Sequence, residues 1–142
     1  MVLLAKDGAS MPRVLIADDE VSMRTLVARA MAMDGHDTVT AEDGAEALEI
    51  LSHEQGAFDL LLTDIQIPVM DGIALALAAA RDFPDLTILL MTGFADQRER
   101  ASGLNAIAHD VIIKPFSVAD IRAAVAGALA ARKTGQRGDA AL

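Results

Sequence analysis

Five side chains able to do chemistry stand in one kind of place in this sequence, just after a short apolar run. Val14-Leu15-Ile16 leads into Asp18-Asp19-Glu20, Leu60-Leu61-Leu62 into Thr63-Asp64, Ile88-Leu89-Leu90-Met91 into Thr92-Gly93, and Val111-Ile112-Ile113 into Lys114-Pro115. Taken singly, an Asp or Thr after a strand is an ordinary cap or turn residue, and a Lys is a solvated charge. Taken together they differ, because the carboxyl ends of the strands in an open parallel sheet share one rim. Asp18, Asp19, Asp64, Thr92 and Lys114 would then meet as three carboxylates, a hydroxyl and an amine.

Three carboxylates about 5 Å apart repel by roughly 3 kcal/mol per pair at an effective dielectric near 20, or about 10 kcal/mol together. That rivals the whole net stability of a domain. Such a cluster must hold a proton, lean on Lys114 or bind a hard cation. Oxygen donors without His or Cys suit Mg²⁺, with Mn²⁺ as the second fit. A carboxylate beside such an ion can attack a phosphoryl group and become an acyl phosphate, while an ammonium and a hydroxyl offset charge on the phosphoryl oxygens. Asp64 is the candidate nucleophile, since the third of five strands can lie centrally, between the acidic pair and Lys114. Asp18 and Asp19 form the metal side.

The elements that must position these residues are legible too. Four of the five runs are continuously apolar, as in strands buried on both faces; the remaining one, Thr38-Val39-Thr40, is more polar and belongs nearer an edge. Between them the apolar period changes to 3.6: Met23, Leu26, Val27, Ala30 and Met31, then Ile73, Ala76, Leu77 and Ala80, then Ile121, Ala124, Val125, Ala128 and Leu129. Asp43 and Asp71 each precede a Gly as candidate N-caps, Ser117 and Asp120 have capping-box spacing, and Gly35 is placed to end the first helix. Asp96 to Gly103 is a further, weakly anchored helix candidate. Alternating strands and helices predict an α/β fold, a (βα)5 doubly wound five-stranded parallel sheet.

With 142 residues the chain fits one domain. The domain is expected over residues 12–132, after an N-terminal extension at 1–11 whose Met11 is a candidate native start, and before a polar, disordered tail at 133–142. A net charge of -9 is the wrong sign for binding phosphate backbones, and four Phe as the sole aromatics offer no base-stacking platform. Without Cys there is no disulfide or thiolate chemistry, and His36, His53 and His109 lack metal-ligand spacing. The apolar runs are too short to cross a bilayer and no signal segment is visible, so the expected location is the cytoplasm.

In combination and order, Val14-Leu-Ile-Ala-Asp-Asp-Glu20, Leu60-Leu-Leu-Thr-Asp-Ile-Gln-Ile-Pro-Val-Met-Asp-Gly72, Met91-Thr-Gly-Phe-Ala95 and Ile113-Lys-Pro-Phe116 resemble the CheY-like receiver domain of two-component response regulators. The resemblance implies a flavodoxin/CheY-like fold, with Asp64 as phosphoacceptor. Asp18, Asp19, Asp64 and the Gln66 carbonyl become the Mg²⁺ ligands, Thr92 the switch hydroxyl, and Lys114 the phosphate counter-charge before a cis peptide to Pro115. It implies a histidine kinase or histidine phosphotransfer protein as donor, and a receiver that catalyses its own phosphorylation and dephosphorylation. Output then goes through protein contact or phosphate relay, with no direct nucleic acid or membrane partner. A narrower similarity, carried by Thr63-Asp64-Ile65, Thr92-Gly-Phe-Ala95 and Val111, is to CpdR-type single-domain receivers, which act unphosphorylated as adaptors of the ClpXP protease. Val111 is also a departure, because the family usually carries Tyr or Phe there as a rotamer toggle; readout through the loop and helix after the fourth strand is the expected replacement.

Three other protein classes share part of this pattern and fit it less well. A haloacid-dehalogenase-type phosphatase would carry its nucleophile after the first strand, with a second Asp two residues on, where Asp64 has Gln66. A flavodoxin would need hydroxyls and amides in its first loop, where Asp18-Asp19-Glu20 repel a phosphate. A pseudo-receiver that binds constitutively would not need the five residues intact.

Overall fold

The computed structural model describes residues 11–55, 57–93, 102–104 and 107–133. Five strands, β1 (Arg13–Ala17), β2 (Asp37–Ala41), β3 (Leu60–Asp64), β4 (Thr87–Thr92) and β5 (Asp110–Ile113), form one parallel sheet in the order β2-β1-β3-β4-β5. Four helices cover it among the described residues: α1 (Val21–Met33), α2 (Gly44–His53), α3 (Gly72–Asp82) and α4 (Val118–Lys133). The sheet is the doubly wound one expected, with β3 central and the more polar β2 at an edge.

The continuous runs have a simple cause. Leu15, Leu61, Ile88 and Leu90 face one core with Leu51 of α2 and Leu75 of α3. Val14, Ile16, Leu60, Leu62, Leu89 and Met91 face the other, with Val27 and Met31 of α1 and Ile121 and Val125 of α4. Both alternating sets are therefore apolar. The run in β5 departs from this: Asp110 is exposed, Val111 and Ile112 are half-buried, and Ile113 is 41% exposed. As the other edge strand, β5 has a strand neighbour on one side only among the described residues.

The helix ends follow their sequence signals. Asp43 Oδ1 accepts from the Glu46 amide at 2.7 Å and Asp71 Oδ1 from the Ala74 amide at 2.9 Å. Ser117 and Asp120 exchange reciprocal side-chain-to-amide bonds of 3.0 Å. Gly35, at φ +77°, closes α1: its amide donates to the Ala32 carbonyl and that of His36 to Met31, the paired bonds of a Schellman turn. The apolar stripe of α3 is rotated from the expected one. Gly72, Leu75, Ala76 and Ala79 are buried, and Leu77 is 50% exposed; in so alanine-rich a helix the one larger buried side chain, Leu75, sets the face. Of the helix expected over Asp96 to Gly103, residues 96–101 lie outside the described residues, and Ser102–Leu104 form a 3-10 turn. The tails expected at 1–11 and 133–142 also lie outside them, Met11 and Lys133 apart.

Candidate functional site

Parallel pairing in register carries β1, β3 and β4 to one rim: Ala17 sits beside Thr63, and Asp64 beside Met91. One residue further on stand Asp18 and Thr92, both fully buried. Asp64 ends the central strand at 7% exposure, and Asp19 is exposed. Lys114 follows β5, where its backbone amide donates to the Thr92 carbonyl at 2.7 Å, and it enters a cis peptide with Pro115. Carboxylate oxygens of Asp18, Asp19 and Asp64 lie within 4.8 Å of one another.

Lys114 holds the cluster together. Its Nζ donates to Asp64 Oδ2 at 2.9 Å and to Asp18 Oδ2 at 3.2 Å, with its side chain only 17% exposed. Burial pushes the Asp64 carboxyl above the usual carboxylate range; Lys114 pulls against that rise, and the Asp18 charge adds to it. Burial also favours the neutral amine of Lys114, but the bonds and charges of Asp64 and Asp18 outweigh it and hold the ammonium above its ordinary value. The all-oxygen donor set, free of His and Cys, fits Mg²⁺ or Mn²⁺. Gln66 follows β3, exposed, with its amide 3.4 Å from Asp64 Oδ1. The structure thus brings Asp18, Asp19, Asp64 and Lys114 together, and sets Thr92 and Gln66 at the same rim.

Two contributors had not been singled out by their chemistry. Arg24 of α1 donates from Nη1 to the Asp18 carbonyl at 2.7 Å; a cation in the first turn of a helix runs against the helix dipole, and that was the available signal. Gly72 presses on the end of β3: a Cβ there would lie 2.1 Å from the Asp64 carbonyl oxygen and 2.7 Å from Ile65 Cα. Its amide donates to the Ile65 carbonyl at 2.8 Å, closing the loop that carries Gln66. In that loop Val69 takes φ +69° inside a γ-turn whose Met70 amide reaches Pro68 O at 2.8 Å, a strained conformation for a β-branched residue. A groove of about 840 Å³ lined by Pro12, His36, Asp59, Leu129 and Arg132 lies at the opposite, amino-terminal edge of the sheet and touches none of these residues.

Comparison with known proteins agrees with this fold. A match to the response regulator receiver domain family covers residues 14–126. The response regulator receiver protein CpdR of Brucella abortus (strain 2308) is 39% identical over 111 residues, spanning 78% of this chain and 91% of that protein. A CheY-like receiver domain protein from Methanospirillum hungatei JF-1 superposes with a TM-score of 0.80 at 27% identity, over 89% of this chain and 99% of its own. The response regulator TrrA of Thermotoga maritima, solved in complex with Mg²⁺-BeF, gives 0.73 at 29% identity, over 82% and 98%. The chain spans about half the length of the transcriptional regulators it also matches.

Proposed function

This chain belongs to the response regulator receiver domain family of two-component systems, and on that premise we propose that it accepts a phosphoryl group on Asp64 and signals by phosphorylation-dependent protein contact. The carrying observation is a nearly buried carboxylate at the end of the central strand, bonded to an ammonium at 2.9 Å and grouped with two further carboxylates. Asp18, Asp19, Asp64 and the Gln66 carbonyl would hold Mg²⁺, or Mn²⁺ in its place. When bound, that ion offsets charge on the phosphoryl oxygens.

The chain's own groups do the rest. Asp64 carboxylate oxygen attacks the phosphorus of a phosphohistidine on a histidine kinase or phosphotransfer protein. The new O–P bond forms as the P–N bond breaks, and the imidazole nitrogen leaves with the electron pair. The Lys114 ammonium moves its hydrogen bond from Asp64 to a phosphoryl oxygen, and the Thr92 hydroxyl donates a second. Water attack on the acyl phosphate resets the receiver, so the chain promotes both steps on itself. The added charge of about -1.5 to -2 then biases the surface around β5 and α4.

The similarity to CpdR supports a role as an adaptor that engages the ClpXP protease when unphosphorylated, and a cytoplasmic location goes with such partners. Relay to a second phosphotransfer protein is the other outcome of the same chemistry. Incubation with acetyl phosphate and Mg²⁺ should add one phosphoryl mass, and Asp64→Asn should abolish it. Absence of any adduct would leave a binding module that works without phosphorylation. Pull-downs with native protein and Asp64→Asn then separate protease capture from phosphate relay.

A further inference from the structure

Asp18 is fully buried and every polar atom of it is engaged. Its amide donates to the Ala41 carbonyl at 3.2 Å, Oδ1 accepts from the Glu20 amide at 3.0 Å, and Oδ2 accepts from Lys114 Nζ at 3.2 Å. Its carbonyl takes the remaining bond, 2.7 Å from Arg24 Nη1. Three of these partners are the backbone or the ammonium of the site itself. Arg24 is a separate side chain, half-buried in the first turn of α1, and its own amide is tied to the Glu20 carbonyl at 3.0 Å. The guanidinium thus bridges the helix to the peptide that joins Asp18 to Asp19, the two carboxylate-bearing residues at the end of β1.

We infer that Arg24 is a positioning residue for cation binding: it locks the Asp18–Asp19 peptide so that both carboxylates point at the place where Asp64 completes the set. This rests on the reading of Asp18, Asp19 and Asp64 as cation ligands. Two effects of this residue on a bound cation have opposite signs. As a nearby positive charge, Arg24 repels a divalent ion, and removing it should tighten binding. As a support for the ligands, it favours binding, and outer supports of metal ligands typically change affinity about 10- to 100-fold. The bond is short, at 2.7 Å, and its acceptor belongs to a fully buried residue, which makes support the larger effect.

The test is isothermal titration of the full chain with magnesium chloride at neutral pH, at a temperature where every variant is folded by circular dichroism. Arg24→Met should bind Mg²⁺ about tenfold more weakly than wild type, and Arg24→Lys, which keeps a donor and the charge, should recover to within about threefold. If Arg24→Met does not fold, Arg24→Gln, too short to reach the carbonyl, serves in its place and should bind more weakly than Arg24→Lys. Equal or tighter binding by the neutral variants overturns the inference while leaving the cation site standing. Absence of Mg²⁺ binding by wild type overturns both.

Discussion

Removing the Lys114 ammonium is the perturbation whose consequence is best defined by the structure. In Lys114→Met the apolar stem is kept while two charge-assisted bonds, of 2.9 and 3.2 Å, are lost. At an effective dielectric near 20, Coulomb's law gives about 5 to 6 kcal/mol of gross attraction for each contact. Most of this is offset, because the ammonium no longer has to leave water and the Asp64 carboxylate can take up a proton. Breaking one side of a buried ion pair costs about 3 to 5 kcal/mol net, and the lower end applies where exposed Asp19 lets water reach the cluster. The expected loss is about 3 kcal/mol without metal at neutral pH, or about 10 °C in midpoint for a chain of this size.

Urea unfolding followed by far-UV circular dichroism measures it, since the chain has no Trp or Tyr to report by fluorescence. Two conditions sharpen the result. Lowering the pH should shrink the difference between variant and wild type as Asp64, whose carboxyl burial already pushes up, protonates and no longer needs the ammonium. Millimolar Mg²⁺ should shrink it as well, by supplying another cation to the same oxygens. A difference below about 0.5 kcal/mol at neutral pH, within the range of ordinary surface substitutions, would refute the reasoning. So would a difference that does not change with pH.

Asp64→Asn should raise the unfolding midpoint of the metal-free protein, because Lys114 keeps Asp18 as its carboxylate partner while the buried charge at position 64 is removed. Burial lifts the folded carboxyl above its unfolded value, so this group's contribution to stability falls as pH rises between the two; the gain from Asn should be full at neutral pH and shrink towards the acid range, as a pH series of unfolding curves would show. Gly72→Ala should cost about 3 kcal/mol, because its Cβ would meet the Asp64 carbonyl at 2.1 Å and backbone must move to admit it. Amide shifts of Asp64 and Ile65 should move with it, and an unperturbed spectrum would contradict the contact.

Sequence alone went far because this fold obeys short-range rules. Buried parallel strands must be apolar on both faces, so Leu60–Leu62 and Ile88–Met91 announced themselves, and the residue after each run fell at a known rim. The cap residues Asp43, Asp71 and Ser117 and the stop at Gly35 act within a few residues of chain, and all perform as their types and spacing predict. Sequence also carried the family, through motifs that surround the acidic pair, Asp64, Thr92 and Lys114.

Tertiary structure decided what depends on partners distant in the chain. Only packing chose Leu75 over Leu77 as the buried residue of α3, since both fit a 3.6 period and alanines leave the face weakly specified. Ile113 lies exposed on an edge strand, in a run that reads like any central strand. Lys114 finds Asp18 across 96 positions of sequence, and Gly72 is required by the carbonyl it touches rather than by a positive φ. Local patterns record the backbone's own preferences, whereas a close approach between separate segments exists only once the sheet has brought them together.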